Sequence, residues 1–206
     1  MSNGNYEETH RKVIESGTEL FLKNGYERTN LRELCKKADI TTGAFYRHFA
    51  SKEDLFTSLV KPVADEMYAM FDNSEENGEE LVREINLEEF WSFNEETAET
   101  FVSYIYENYI SFKLLLQCAD GTPYSSFVTE LTDKEVKSSM KIFSAMRKQG
   151  ITVNELCERE LHMLSHAYVS SVLECVMHDY TKEETLSYTK TIVRFFSAGW
   201  QKILGL

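Results

Sequence analysis

Thr41-Thr42-Gly43-Ala44 is a run of four small residues, two of them with hydroxyls. At the start of a short helix, such a set permits close approach to the edges of nucleic-acid bases. Thr41 and Thr42 can donate or accept hydrogen bonds there, and Ala44 can meet a thymine methyl. Gly43 weakens a helix, so local stability does not explain its presence. Basic side chains surround the run. Over residues 28–52, Arg28, Arg32, Lys36, Lys37, Arg47 and Lys52 stand against Glu33 and Asp39, a local charge of +4. Attraction to phosphates needs positive charge of this kind.

Other chemistries find less support. His162 and His166 have the four-residue spacing that binds a metal from one helical face, yet no HExxH pattern accompanies them. Cys35, Cys118, Cys157 and Cys175 lie far apart without paired spacing, which indicates neither a disulfide scaffold nor a zinc knuckle. No nucleophile–base arrangement and no phosphate-cradling glycine loop occurs. The expectation is therefore no enzyme, no metal and no cofactor.

The chain has 206 residues, with 22 basic and 34 acidic side chains and a net charge of −12. As a total, that figure argues against a nucleic-acid partner. By position it does not. Residues 1–60 carry nine basic and nine acidic side chains, while residues 61–206 carry 13 and 25. The excess acid belongs to the second part, so overall charge does not rule on what the first part binds. Apolar residues at 42% and charged residues at 27% fit a soluble globular protein. The polar start MSNGNYEETHRK is no signal peptide, and no run reaches 18 apolar residues. A cytoplasmic protein with no membrane partner is expected.

Short helices must position the small-residue run. Val13, Ile14, Gly17, Leu20 and Phe21 have helical spacing, and Asn24-Gly25 ends that helix. Thr29 is the expected N-cap of a short helix containing Leu31, Leu34 and Cys35. Ala38-Asp39-Ile40 makes a turn, and Thr41 or Thr42 caps a second short helix through Phe49. Ser51 and Asp54 form a capping-box pattern for a further helix, in which Pro62 marks either a kink or the handover to a body. Asn73–Glu80 reads as a linker or loop.

Phe90, Phe93, Ala98, Phe101, Ile105 and Tyr109 then mark a long helix, and 110–118 a shorter one. Thr122-Pro123 is the expected start of a helix reaching Lys148. Thr152…Glu155 and Thr181…Glu184 have the capping-box pattern and introduce two final helices, about 153–179 and 182–203. Their broad apolar stripes suit either packing between two copies or burial within one chain. No strand ladder or internal repeat is visible. The fold class is all-α, with about nine helices.

Two short helices separated by a tight turn can place the second in a major groove. At this point residues 11–56 resemble the DNA-binding head of the tetracycline-repressor (TetR) family. The resemblance rests on Phe21, Gly25-Tyr26, Thr29, Ile40, Thr42-Gly43-Ala44 and Phe45-Tyr46-Arg47-His48-Phe49, followed by Ser51-Lys52-Glu53-Asp54-Leu55. It covers about a quarter of the chain. One departure is Asp39, where the family usually has glycine in the turn; aspartate tolerates a left-handed backbone better than most residues.

The resemblance implies roles residue by residue. Thr42, Gly43 and Ala44 match the base-facing start of the recognition helix, with Thr41 beside them. Tyr46 and His48 match phosphate-binding side chains, Lys52 a basic residue that meets the backbone, and Thr29 a phosphate-facing cap. Arg47 lies where some relatives make sequence-dependent contacts. The bland alternatives are a core aromatic for Tyr46 and an exposed histidine without a task for His48.

The resemblance divides the chain into a helix-turn-helix domain at 1–52 and a ligand-binding and dimerisation domain at 53–206. It implies a homodimeric regulator, expected to be a repressor, that binds a palindromic double-stranded DNA operator and is released by a small effector. The middle helices would frame the pocket, with Trp91, Tyr104, Tyr109, Phe112, Tyr124 and Phe127 as its expected aromatic lining. These favour an apolar or aromatic effector, and no basic cluster is present to receive a phosphate. Glu95, Glu99 and Glu107 read as a solvated face or as a meeting point for a cationic compound. Leu164, Tyr168, Phe196 and Trp200 are the expected dimer contacts. The competing reading is a helix-turn-helix interaction protein without specific DNA binding.

Overall fold

The computed structural model describes the backbone of residues 3–83 and 87–206, and the side chains of residues 5–76, 80, 82 and 95–206. Among the described residues the fold is all-α, with nine helices. They are α1 (Asn3–Asn24), α2 (Leu31–Lys37), α3 (Thr42–Phe45), α4 (Lys52–Arg83), α5 (Leu87–Glu107), α6 (Tyr109–Gln117), α7 (Phe127–Lys148), α8 (Glu158–Met177) and α9 (Lys182–Leu204). The chain forms two compact units. The smaller comprises residues up to Asp65 with Ile110–Phe127, and the larger comprises Glu66–Tyr109 with Val128–Leu206.

In the smaller unit, α1 presents Val13, Leu20 and Phe21 to a core completed by Leu34, Phe45, Leu55, Phe56 and Phe112, all nearly solvent-free. Phe21 and Phe56 meet edge to face at 5.2 Å, a favoured aromatic geometry. Gly25 ends α1 at φ 77°, and its N–H returns to the Phe21 carbonyl at 2.8 Å. The segment after α6 closes on the α1–α2 connection through a Tyr26 N–H to Cys118 carbonyl bond of 3.0 Å. Gly121 has φ +79°, and a Cβ there would lie 2.6 Å from Glu27 Cγ. A larger residue would be strained at this φ and would push the Glu27 side chain aside.

In the larger unit, α9 packs against α5 and α8. One buried cluster joins Val82, Met146, Val153 and Leu204, with Phe143 and Trp200 packed on it. The capping box expected at Thr181 is present: the Thr181 hydroxyl accepts from Glu184 N–H at 3.2 Å, and the Glu184 carboxylate accepts from Thr181 N–H at 2.8 Å.

Several boundaries differ from the sequence expectation. Asn73–Glu80 is not a linker; α4 runs through it, and through Pro62, to Arg83. Its acidic side chains are helix formers, and Asp72 and Glu75 pair with Lys134 and Lys141 of α7. The helix expected at Thr122-Pro123 starts at Phe127, because the Thr122 hydroxyl closes a local turn onto the Ala119 carbonyl at 2.7 Å. Thr152 does not cap α8. The stretch 151–157 is non-helical, with Val153 buried and Asn154 bonded to the carbonyls of Ile203 and Leu204. The cap moves to Cys157, whose N–H meets the Glu160 carboxylate at 3.0 Å.

Candidate functional site

The exposed face of the smaller unit is built from α2, the turn and α3. Asn30 caps α2, its side chain accepting from Arg32 N–H at 2.8 Å. The cap expected of Thr29 is therefore corrected by one residue. Thr29 is 2% exposed, and its hydroxyl donates to the Gly25 carbonyl at 2.7 Å. Its side chain is committed inside the unit. The turn passes through Asp39 at φ 54°, the left-handed conformation expected there. Thr41 caps α3 by accepting from Ala44 N–H at 3.1 Å. Phe45 and Phe49 anchor the segment in the core.

Anchoring α3 on one side leaves Thr41, Thr42, Gly43, Tyr46 and Arg47 exposed, with Ala44 half-buried. Tyr46 is 55% exposed, which excludes the core-aromatic reading. Around this face Arg28, Arg32, Lys36 and Lys37 are also exposed. Lys37 pairs with Glu19 at 2.6 Å.

Two residues assigned to phosphates have further tasks. The His48 ring packs against Tyr6 at 4.2 Å and His10 at 5.4 Å. Its Nδ1 is buried with no hydrogen-bond partner among the described residues. Burial, and secondarily the nearby His10, hold its pKa below the usual histidine value. This environment disfavours the charged imidazolium. Lys52 donates to the carbonyls of Tyr26 at 2.7 Å and Thr29 at 2.9 Å, with that of Glu27 at 3.4 Å. Its ammonium also stands 4.0 Å from the centre of the Tyr26 ring. Burial lowers its pKa, but the carbonyls stabilise the charge. Lys52 clamps the α1–α2 connection to the start of α4.

Residues 13–59 match the family model described as bacterial regulatory proteins, tetR family. That segment, about a quarter of the chain, belongs to the tetR family. Its relatives include the HTH-type transcriptional regulator QacR of Staphylococcus aureus, 24% identical over 186 residues covering 90% of this chain and 93% of that one. The transposon Tn10 TetC protein of Escherichia coli is 29% identical over 104 residues, half of this chain. The matches span 48% of TetC and 43% of the Bacillus subtilis regulator YuxN. A TetR-like regulator from Rhodococcus sp. RHA1 shares the fold at TM-score 0.59 and 14% identity, over 97% of this chain and 99% of its own. A transcriptional regulator from Aquifex aeolicus does so at 0.57 and 20%, over 92% and 98%. No helix among the described residues is long and apolar enough to cross a membrane.

The larger unit contains a cavity of about 150 Å³, a size that admits a benzene-like ring. Its walls come from α4, α5, α7, α8 and α9, with Phe71, Phe101, Phe143, Tyr168, Phe196 and Trp200 supplying aromatic surface. None of Tyr104, Tyr109, Phe112, Tyr124 and Phe127 is among its lining residues; the Trp91 side chain lies outside the described residues. Phe112 and Phe127 are core. Tyr109 donates to Asp179 at 2.7 Å, and burial followed by that carboxylate pushes its phenol up to about 12. Tyr106 likewise bonds the Tyr180 carbonyl at 2.6 Å. Tyr106 at the end of α5 and Tyr109 at the start of α6 hold the turn between α8 and α9.

Tyr168, Phe196 and Trp200, expected at a dimer contact, line the cavity, and Leu164 is half-buried. The exposed apolar side chains of α8 and α9 are instead Met163 at 72% and Phe195 at 71%, with Met177, Tyr188 and Ile203 less so. His162 and His166 stack at 6.4 Å, with His162 3.6 Å from Asp133 and His166 3.2 Å from the Thr132 hydroxyl. Among the described residues no three His, Cys, Asp or Glu side chains gather as a metal site.

Sequence reasoning missed Glu135. It lines the cavity, on the stripe that carries Leu131 and Ile142 at helical spacing. A charge on that stripe was the available signal. Burial holds the carboxyl above its ordinary value of 4.5, against a smaller lowering by Ser139. The unfolded chain therefore loses this proton at lower pH than the folded one, and stability falls as pH rises from about 4.5 through the raised folded value. Replacing Glu135 by Gln should raise Tm by about 2–4 °C at pH 7.5. The gain should disappear near pH 4, where both states hold the proton. Calorimetric melts of the two proteins across that range check the sign.

Proposed function

We propose that this tetR-family regulator is a homodimeric repressor that reads a palindromic DNA operator and leaves it when a small molecule occupies the cavity. The supporting observation is α3 with its flanks: Phe45 and Phe49 are buried while Thr41, Thr42, Gly43, Tyr46 and Arg47 are exposed, as are the basic Arg28, Arg32, Lys36 and Lys37. Residues 1–52 serve as the DNA-binding domain and 53–206 as the ligand-binding and dimerisation domain. Thr42, Gly43 and Ala44 approach the bases, Tyr46 and His48 bind phosphates, and Arg47 contacts the backbone or a base edge. Thr29 and Lys52 contribute by fixing the connection that carries Arg28 and Asn30. The dimer contact draws on the exposed apolar residues Met163, Tyr188, Phe195 and Ile203, so that two recognition helices lie one groove repeat, or a multiple, apart.

Release works by population shift with no bond made or broken. Met67, Phe71 and Ser74 of α4 line the cavity, while Lys52, the first residue of the same helix, holds the DNA-binding domain's connection. A ligand that displaces α4 changes the spacing of the two recognition helices. Selection of duplexes from a random library by the purified full chain tests the proposal. Recovered sequences should share an inverted repeat. Recovery of no common sequence contradicts specific DNA reading and favours the interaction-protein alternative.

A further inference from the structure

The cavity in the larger unit holds a charge that its surroundings leave uncompensated. Glu135 has the Ser139 hydroxyl at 3.5 Å as its hydrogen-bond partner. Among the described residues, no lysine, arginine or histidine forms an ion pair with it, and none lines the cavity. Four cations of the same unit pair with other carboxylates: Lys134 with Asp72, Lys141 with Glu75, Lys190 with Glu99 and Arg194 with Glu95.

A carboxylate in such a place costs folding stability, and burial does raise its pKa. The neighbouring Tyr168 phenol is pushed up too, by burial first and by Glu135 second. Leucine or glutamine at this position would avoid that cost. Destabilising groups that persist in a preformed cavity are commonly functional.

The walls supply the complementary part. Phe71 and Phe101 stack at 4.8 Å, Tyr168 and Phe196 meet edge to face at 5.3 Å, and Trp200 completes the aromatic lining. Aromatic faces carry negative potential and attract cations, most of all when water is excluded. An anionic ligand meets the opposite: one negative charge and no basic side chain.

We infer that the cavity binds an organic cation, an amine or quaternary ammonium carried on an aromatic or branched apolar group, with Glu135 as its counter-charge and the aromatic walls around it. This deepens the effector reading and rests on it for the link to DNA release, but not for binding itself.

Titration calorimetry of the full chain tests it with phenyltrimethylammonium and its neutral isostere tert-butylbenzene, which differ in charge alone. The wild-type protein should bind the cation saturably, one per chain. Glu135→Gln should weaken the cation about tenfold or more while changing tert-butylbenzene less than about twofold. The neutral compound thereby reports that the variant's cavity is intact, and a thermal melt reports that it is folded. Absence of saturable cation binding, an unchanged cation affinity in Glu135→Gln, or equal losses for both compounds overturns the inference. Adding the cation to the protein–DNA complex separates the two levels. If it binds with Glu135 dependence yet leaves DNA affinity unchanged, the cation site stands and the release mechanism falls.

Discussion

Alanine at both Thr42 and Tyr46 is expected to lower affinity for the selected operator about 100-fold, with Tm within about 2 °C of wild type. Removing one side chain that meets a base or a phosphate costs about 1–3 kcal/mol, and a dimer is weakened in both heads. Stability is largely spared because Thr42 contributes inward a weak hydrogen bond with the Cys35 thiol and Tyr46 stands mostly outside the core. Thr42 is exposed and Thr41 performs the capping. Tyr46 touches Phe45 edge-on at 5.5 Å but is largely in solvent. Fluorescence anisotropy with labelled operator, alongside a thermal melt, separates the two effects. Thr41→Ala provides the contrast, since loss of that cap should cost about 1 kcal/mol of stability.

Lys52→Met is expected to act the other way round, lowering stability by about 2 kcal/mol and Tm by roughly 5 °C. The methionine keeps the apolar stem but abandons three carbonyls and the face of Tyr26. If the ammonium served chiefly to meet a phosphate, the result would be different: an unchanged melt, and a salt dependence of DNA binding shallower by about one unit per head. Denaturant unfolding of the variant, paired with DNA titrations at several salt concentrations, decides between these roles.

Much of the fold was legible because amphipathic spacing and caps are local. Thr181 and Glu184 declared the start of α9 by their spacing, and Asp39 marked the left-handed turn before α3. Failures came where a distant partner decided the outcome. The Glu-rich 73–80 stretch looked like a linker, yet Lys141 on α7 pairs with its Glu75, and Lys134 with Asp72 just before it. Thr152 and Glu155 matched a capping box, but burial of Val153 and the bonds of Asn154 to the end of α9 keep that stretch out of a helix.

The DNA-facing residues were more legible than the cavity. Exposure around α3 follows from two short helices and the two phenylalanines that anchor the second. On α9, adjacent aromatics left the facing direction undetermined. Phe196 and Trp200 turn to the cavity whereas Phe195 stays in solvent, and only packing against α5 and α8 separates them. On α5 and α6, a tyrosine lining a pocket and a tyrosine tying a turn have the same spacing; the Tyr109 bond to Asp179 distinguishes them.

The most direct test of the account is the affinity of the full-length wild-type protein for its selected operator against a scrambled duplex of equal length and composition. Both are measured by anisotropy at one fixed, near-physiological salt concentration. A regulator whose α3 reads bases should prefer the operator by about 10³-fold or more. Equal affinities for the two duplexes would contradict the central claim, leaving the basic rim as a non-specific surface and α3 without a sequence to read.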